Sequence, residues 1–89
     1  MRIEFDPKKD AANLAKHGVS LGVAYELDWT AALVWVDDRF EYDELRMIAL
    51  APRADTLYYV ACVDHGDVMR IISLRRATRR EVRHYVANI

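Results

Sequence analysis

The stretch Leu57-Tyr58-Tyr59-Val60-Ala61-Cys62-Val63-Asp64-His65-Gly66-Asp67-Val68-Met69-Arg70-Ile71-Ile72-Ser73-Leu74 decides the fold. Leu57 to Val63 is rich in Tyr and Val, which suit a pleated, half-buried surface. Asp64-His65-Gly66-Asp67 then supplies turn-forming side chains. Val68 to Leu74 returns as a second apolar strand. Upstream, a strand is expected from about Tyr42 to Leu50. In it Leu45, Met47 and Ala49 share one parity, against Glu44, Arg46, Ile48 and Leu50. Polarity alternates only at its start, so both faces are expected to be covered near its end. Pro52 breaks this run. Ala31 to Val36 reads as a further strand, with Asp37-Asp38-Arg39 as its turn. Three successive hairpin-like connections favour an antiparallel meander.

Helices flank this block. Arg2 to Phe5 suits a short first strand. Asp6 is placed to cap a helix from Lys8 to Lys16, with Pro7 at the first helical position, where a missing N–H costs nothing. Ala11, Leu14 and Ala15 give it a narrow apolar stripe, and Gly18 suits a left-handed end. Ser20 can cap a second short helix reaching Leu27, although Gly22 weakens it and no reciprocal capping box forms. Thr78 and Glu81 are spaced as a capping box for a last helix. Val82, Tyr85, Val86 and Ile89 form its apolar stripe, and Arg79, Arg80, Arg83 and His84 its other faces. The expected fold is α+β, a small antiparallel sheet with two N-terminal helices and one C-terminal helix, in a single domain spanning residues 1–89.

A chain of 89 residues builds only a modest core. The 53% hydrophobic content excludes a wholly disordered chain. Cys62 is the sole cysteine, so an intrachain disulfide and a multi-cysteine zinc site are excluded. No apolar run spans a bilayer and no signal-peptide core opens the chain, so a cytoplasmic protein is expected. The formal net charge of -1 hides an asymmetry. From Asp37 to Arg46 five acidic side chains face two basic ones, whereas from Arg70 to Ile89 six arginines face one glutamate. A concentrated patch, not whole-chain charge, builds a local potential.

Arginine's planar fork suits phosphate oxygens. Arg70, Arg75, Arg76, Arg79, Arg80 and Arg83 are therefore candidate RNA-binding residues. A solvated helix face, salt-bridged to Glu81 and the acidic run, is the plainer reading of the same residues. Metal-free RNA cleavage needs a base near the ribose 2′-OH, cations at the phosphoryl oxygens and an acid for the leaving 5′-oxygen. His17, Glu44, His84 and Tyr85 are candidates for proton transfer or orientation. Arg46, Arg70, Arg75 and Arg76 are candidate electrostatic stabilisers. Each has a structural alternative. His17 ends a helix and can serve its last carbonyls. Glu44 and Arg46 can pair across strands, and the Tyr85 ring can lie in the core. Trp29, Trp35, Tyr42, Tyr58 and Tyr59 can stack bases, but such residues more often serve core or interface. No histidines are paired at ligand spacing, and no Gly-rich phosphate loop or Gly-x-Ser-x-Gly elbow occurs, so neither metal nor cofactor is expected.

Four stretches taken together carry a resemblance. They are Phe5-Asp6-Pro7-Lys8 with Asn13-Leu14-Ala15-Lys16-His17-Gly18-Val19-Ser20; Glu44 and Arg46 leading into Ile48-Ala49-Leu50; the valine-containing strand with its Gly66 turn; and Arg70-Ile71-Ile72-Ser73-Leu74-Arg75-Arg76-Ala77-Thr78 followed by Arg80-Glu81 and Tyr85. In these the chain resembles the BrnT-type toxins of bacterial type II toxin–antitoxin systems, in order and over nearly its whole length. The resemblance implies a RelE-like ribonuclease fold and RNA cleavage that inhibits translation. It also implies neutralisation by a BrnA-like ribbon-helix-helix antitoxin, with two toxins and two antitoxins assembled and operator DNA met only through the antitoxin. Carried onto this chain it favours His17, Glu44, Arg46, Arg70, Arg75, Arg76 and Tyr85 as the functional set. A toxin-like protein without activity, which binds an antitoxin and contributes to repression, is the alternative.

Overall fold

A computed structural model describes all 89 residues. Five strands form one sheet: β1 (Arg2–Glu4), β2 (Leu33–Val36), β3 (Arg46–Arg53), β4 (Thr56–Asp64) and β5 (Val68–Arg76), in the spatial order β1-β5-β4-β3-β2. From β2 to β5 the pairing is the expected antiparallel meander, and β1 joins the far edge parallel to β5. Two α-helices, α1 (Pro7–His17) and α2 (Arg79–Asn88), complete an α+β molecule with the expected RelE-like layout.

Three expectations change. The strand expected from Tyr42 begins only at Arg46 and runs through Pro52 to Arg53. Proline is tolerated there because β2 stops pairing at Leu50, which leaves that side of β3 without a ladder partner. The Pro52 carbonyl accepts the Asp28 N–H instead, at 2.8 Å. The second N-terminal helix is not α-helical: Leu21–Glu26 is a 3₁₀ helix, with a shorter one at Trp29–Ala31. Leu21, Ala24 and Leu27, spaced by three, are all buried. Three residues per turn aligns that spacing on one line, where 3.6 would let it drift. Asp10 of α1 fixes the start of this helix by accepting from Ser20 Oγ (2.9 Å) and Leu21 N–H (2.7 Å).

The third change concerns how the helices dock. Leu14 of α1 is exposed, and so are Val82 and Val86 of α2 and Ile89 just beyond its end. The only buried residue of α1 is Asn13. Its Nδ2 donates to the Val19 and Leu74 carbonyls (both 2.8 Å), and its Oδ1 accepts from Leu74 N–H (3.1 Å). The amide thus pairs with the open edge of β5 beyond the end of β1, as a strand would. The capping box of α2 is present as expected. The helix meets the sheet through Glu81, His84 and Tyr85, however, and its aliphatic stripe lies roughly a quarter-turn away.

Register defines the two faces. Ala49, Ala51, Tyr58, Val60, Cys62, Ile71 and Leu74 pack with Leu21, Ala24 and Leu27 into the main core. The opposite face buries Ile48, Leu50 and Val63, and α2 lies over it. Cys62 is fully buried, and burial, aided by the charge of Asp64, pushes its thiol up to about 12. That is a structural thiol.

Candidate functional site on the second face of the sheet

The site follows from one irregularity. Arg70 and Arg75 are an odd number of residues apart, so a regular strand would point them to opposite faces. Ser73 pairs with Ala61 but Ile71 pairs with Cys62, which leaves Ile72 as the extra residue of a β-bulge. The bulge resets the alternation. Ile71 and Leu74 both enter the core, so Arg70 and Arg75 both project from the second face. Arg46 and Arg70 are the register partners of Val63 on its two sides. The late arginines therefore divide. Arg46, Arg70 and Arg75 share one face, while Arg76, opposite the buried Tyr58, belongs to the other.

The three differ in their surroundings. Arg70 is exposed, and no carboxylate reaches it within salt-bridge distance. The Arg46 guanidinium lies over the Tyr42 ring at 4.1 Å, with Glu44 Oε1 3.9 Å from its Nη2. Its Nε is buried without a hydrogen-bond partner. Glu44 precedes β3, so the pair is a loop–strand contact and not the shared strand face expected. Arg75 lies over the Tyr59 ring at 4.0 Å. Its Nη1 and Nη2 donate to Glu81 Oε1 and Oε2 at 2.8 and 2.9 Å. That pairing holds the Glu81 carboxyl below its ordinary range and raises Arg75 above its own, in both cases chiefly through the hydrogen bonds.

The segment from Asp37 to Leu45 is held against this face by a small hub. Asp37 is buried, and it accepts from Arg39 Nε (2.8 Å), Arg39 Nη2 (2.9 Å), Arg39 N–H (3.3 Å) and Tyr42 Oη (3.1 Å). Hydrogen bonds from Arg39 keep its carboxyl well below the usual range although burial opposes this. Tyr42 is thereby placed under Arg46.

The other expected residues are spread more widely. Tyr85 is half-buried over the second face, and its hydroxyl donates to the Ala31 carbonyl at 2.6 Å. His84 meets Trp35 edge-on, with centroids 5.8 Å apart. His17 lies at the end of α1 in a cleft of about 200 Å³ with Lys9, Lys16, Ile72 and Ser73, and no contact joins it to Glu44 or Arg46. Arg79, Arg80 and Arg83 are exposed on α2 without a carboxylate partner. No three His, Cys, Asp or Glu side chains converge in a metal-holding group, and no helix is long and apolar enough to cross a membrane. The salt bridge to Glu81 expected for the basic segment forms on Arg75. Tyr59, expected only as a base-stacking candidate, lies under Arg75, a pairing set by the β4–β5 register and not legible in sequence spacing.

A family model described as "Ribonuclease toxin, BrnT, of type II toxin-antitoxin system" matches residues 5–81. No curated protein matches the chain. The matched span begins just after β1 and runs through α1 and strands β2 to β5 as far as Glu81, so it includes Arg46, Arg70 and Arg75 of the second face. The chain belongs to the BrnT family of toxins, and so to a type II toxin–antitoxin system in which a toxin is paired with a cognate antitoxin.

Proposed function

We propose that the protein is an endoribonuclease toxin that cleaves RNA without a metal and so inhibits translation. The observation that carries this reading is the shared projection of Arg46, Arg70 and Arg75 from one sheet face. Three guanidiniums on a half-buried surface suit the phosphodiester and the charge that grows on its oxygens in the transition state. In the reaction, a base takes the 2′-OH proton, the 2′-oxygen attacks phosphorus, the bond to the 5′-oxygen breaks and that oxygen gains a proton. DNA lacks this nucleophile. Glu44, beside Arg46, is the favoured proton acceptor, with His17 the weaker candidate. Tyr85 orients the leaving side from α2. Arg76, on the opposite face, and Arg79, Arg80 and Arg83, spread around the exposed helix, stay outside the main phosphate contacts. The partner is a BrnA-like ribbon-helix-helix antitoxin in an assembly of two toxins and two antitoxins, which meets operator DNA through the antitoxin.

The test is purified protein with RNA in the presence of chelator. Cleavage is expected to persist. Arg70→Gln with Arg75→Gln should lower it by about 10²-fold or more, and Arg76→Gln far less. Unchanged cleavage by the folded double variant sinks the site. A second reading, an inactive antitoxin-binding relative, is favoured by one observation: the Arg75 fork and the Tyr85 hydroxyl are both engaged internally. Wild-type protein that leaves RNA uncut but still binds the antitoxin would establish that reading.

A further inference from the structure

We infer that the Glu81 carboxylate occupies the Arg75 guanidinium in the place a substrate phosphate would take, and that RNA binding displaces it. The inference rests on the ribonuclease reading, which supplies the phosphate. Carboxylate and phosphate both match the guanidinium fork in bidentate fashion. Glu81 uses both terminal nitrogens of Arg75, at 2.8 and 2.9 Å, so a phosphate at this edge must compete with it. The pair is accessible to an incoming anion, since the two side chains keep 32% and 21% of their exposure.

The exchange costs little on either side. Glu81 Oε1 also accepts the Thr78 N–H at 2.8 Å. After release from Arg75 it remains the reciprocal half of the capping box, at the helix end where negative charge is favoured. Arg75 stays in place because the Tyr59 ring supports its guanidinium at 4.0 Å. The helix is held by contacts other than Glu81, namely Tyr85 Oη to the Ala31 carbonyl and His84 against Trp35. RNA has the advantage over Glu81 because neighbouring phosphates reach Arg70 and Arg46 at the same time. A lone acetate-sized anion has no such gain.

Glu81→Gln is the informative variant, because the glutamine carbonyl still accepts the Thr78 N–H while the charge competing for Arg75 is gone. Affinity for single-stranded RNA should rise several-fold, and KM should fall by a similar factor with a smaller change in kcat. In an Arg75→Gln background the same substitution should do nothing, because the two residues act as one unit. An equal gain in that background would mean a general charge effect and overturn the inference. So would weaker RNA binding by Glu81→Gln, which would make Glu81 a support for Arg75 and not its competitor. If that variant fails to fold, Glu81→Asp, whose carboxylate is set back from Arg75 by one methylene but keeps its charge, should give a smaller gain in the same direction. A cleavage-free readout is the Arg75 Nε–Hε resonance of the whole protein titrated with inorganic phosphate. It should saturate at lower phosphate in the Glu81 variant than in wild type. Equal titrations refute the displacement even if RNA is cut. A clear difference without RNA cleavage leaves the displacement standing and refutes the ribonuclease reading.

Discussion

Two residues hold the molecule together through polar groups, and each gives a measurable consequence. Asn13 satisfies three backbone groups that are otherwise shut away from water. Asn13→Ala should cost about 3 kcal/mol or more, because each orphaned buried group costs roughly 1–3 kcal/mol. Asn13→Asp should be worse, since a carboxylate would face two carbonyl oxygens. Urea unfolding of the variants measures both. Asp37 behaves differently because its partner Arg39 is 61% exposed and can be hydrated when left alone. Asp37→Asn should cost only about 1–3 kcal/mol at pH 7. The folded carboxyl lies below its unfolded value. Its stabilising contribution is therefore complete above the ordinary carboxylate range of about 4 and is lost as pH falls through the depressed folded value. Wild type should lose stability in acid more steeply than Asp37→Asn. Parallel acid profiles would show that Asp37 gains nothing from its ionised partner.

At the scale of elements, one turn is strained and one helix is incompletely covered. Ala54 takes φ 53 in the two-residue link between β3 and β4. A side chain in the left-handed region costs roughly 1 kcal/mol, so Ala54→Gly should raise stability by up to that amount despite glycine's freer unfolded state. Thermal melts suffice to check it. For α2 the expectation from sequence was an apolar stripe against the sheet. The structure splits that stripe: Tyr85 packs inward and reaches Ala31, while Val86 is left 63% exposed. Val86→Ser should change stability by less than about 0.5 kcal/mol, the range for surface substitutions. Tyr85→Phe should cost about 1 kcal/mol for its hydrogen bond. A large loss for Val86→Ser would show the stripe to be packed after all. Helical spacing revealed that a stripe exists, but not which side of the helix would find a sheet.

For the whole molecule, the division of charge sets how strongly RNA should be held. If only Arg46, Arg70 and Arg75 meet phosphates, the logarithm of affinity should fall with the logarithm of salt with a slope of about −2, at roughly 0.7 per phosphate for a single strand. Participation of Arg76 and the α2 arginines would steepen it toward about −5. Filter binding across a salt series separates the two. The shallow slope is expected, because Arg76 faces the opposite side and the α2 arginines are spread around an exposed helix.

Sequence alone settled what is local. The Asp6 cap, the left-handed Gly18, the β4–β5 hairpin and the Thr78–Glu81 capping box depend on residues only a few positions apart, and all are present. The family likeness rested on such stretches too. Tertiary structure alone decided what depends on register. A single unpaired residue, Ile72, turns Arg70 and Arg75 to the same face and sends Arg76 to the other. Neighbour-to-neighbour spacing holds no record of that shift, because it arises from how β5 lines up against β4.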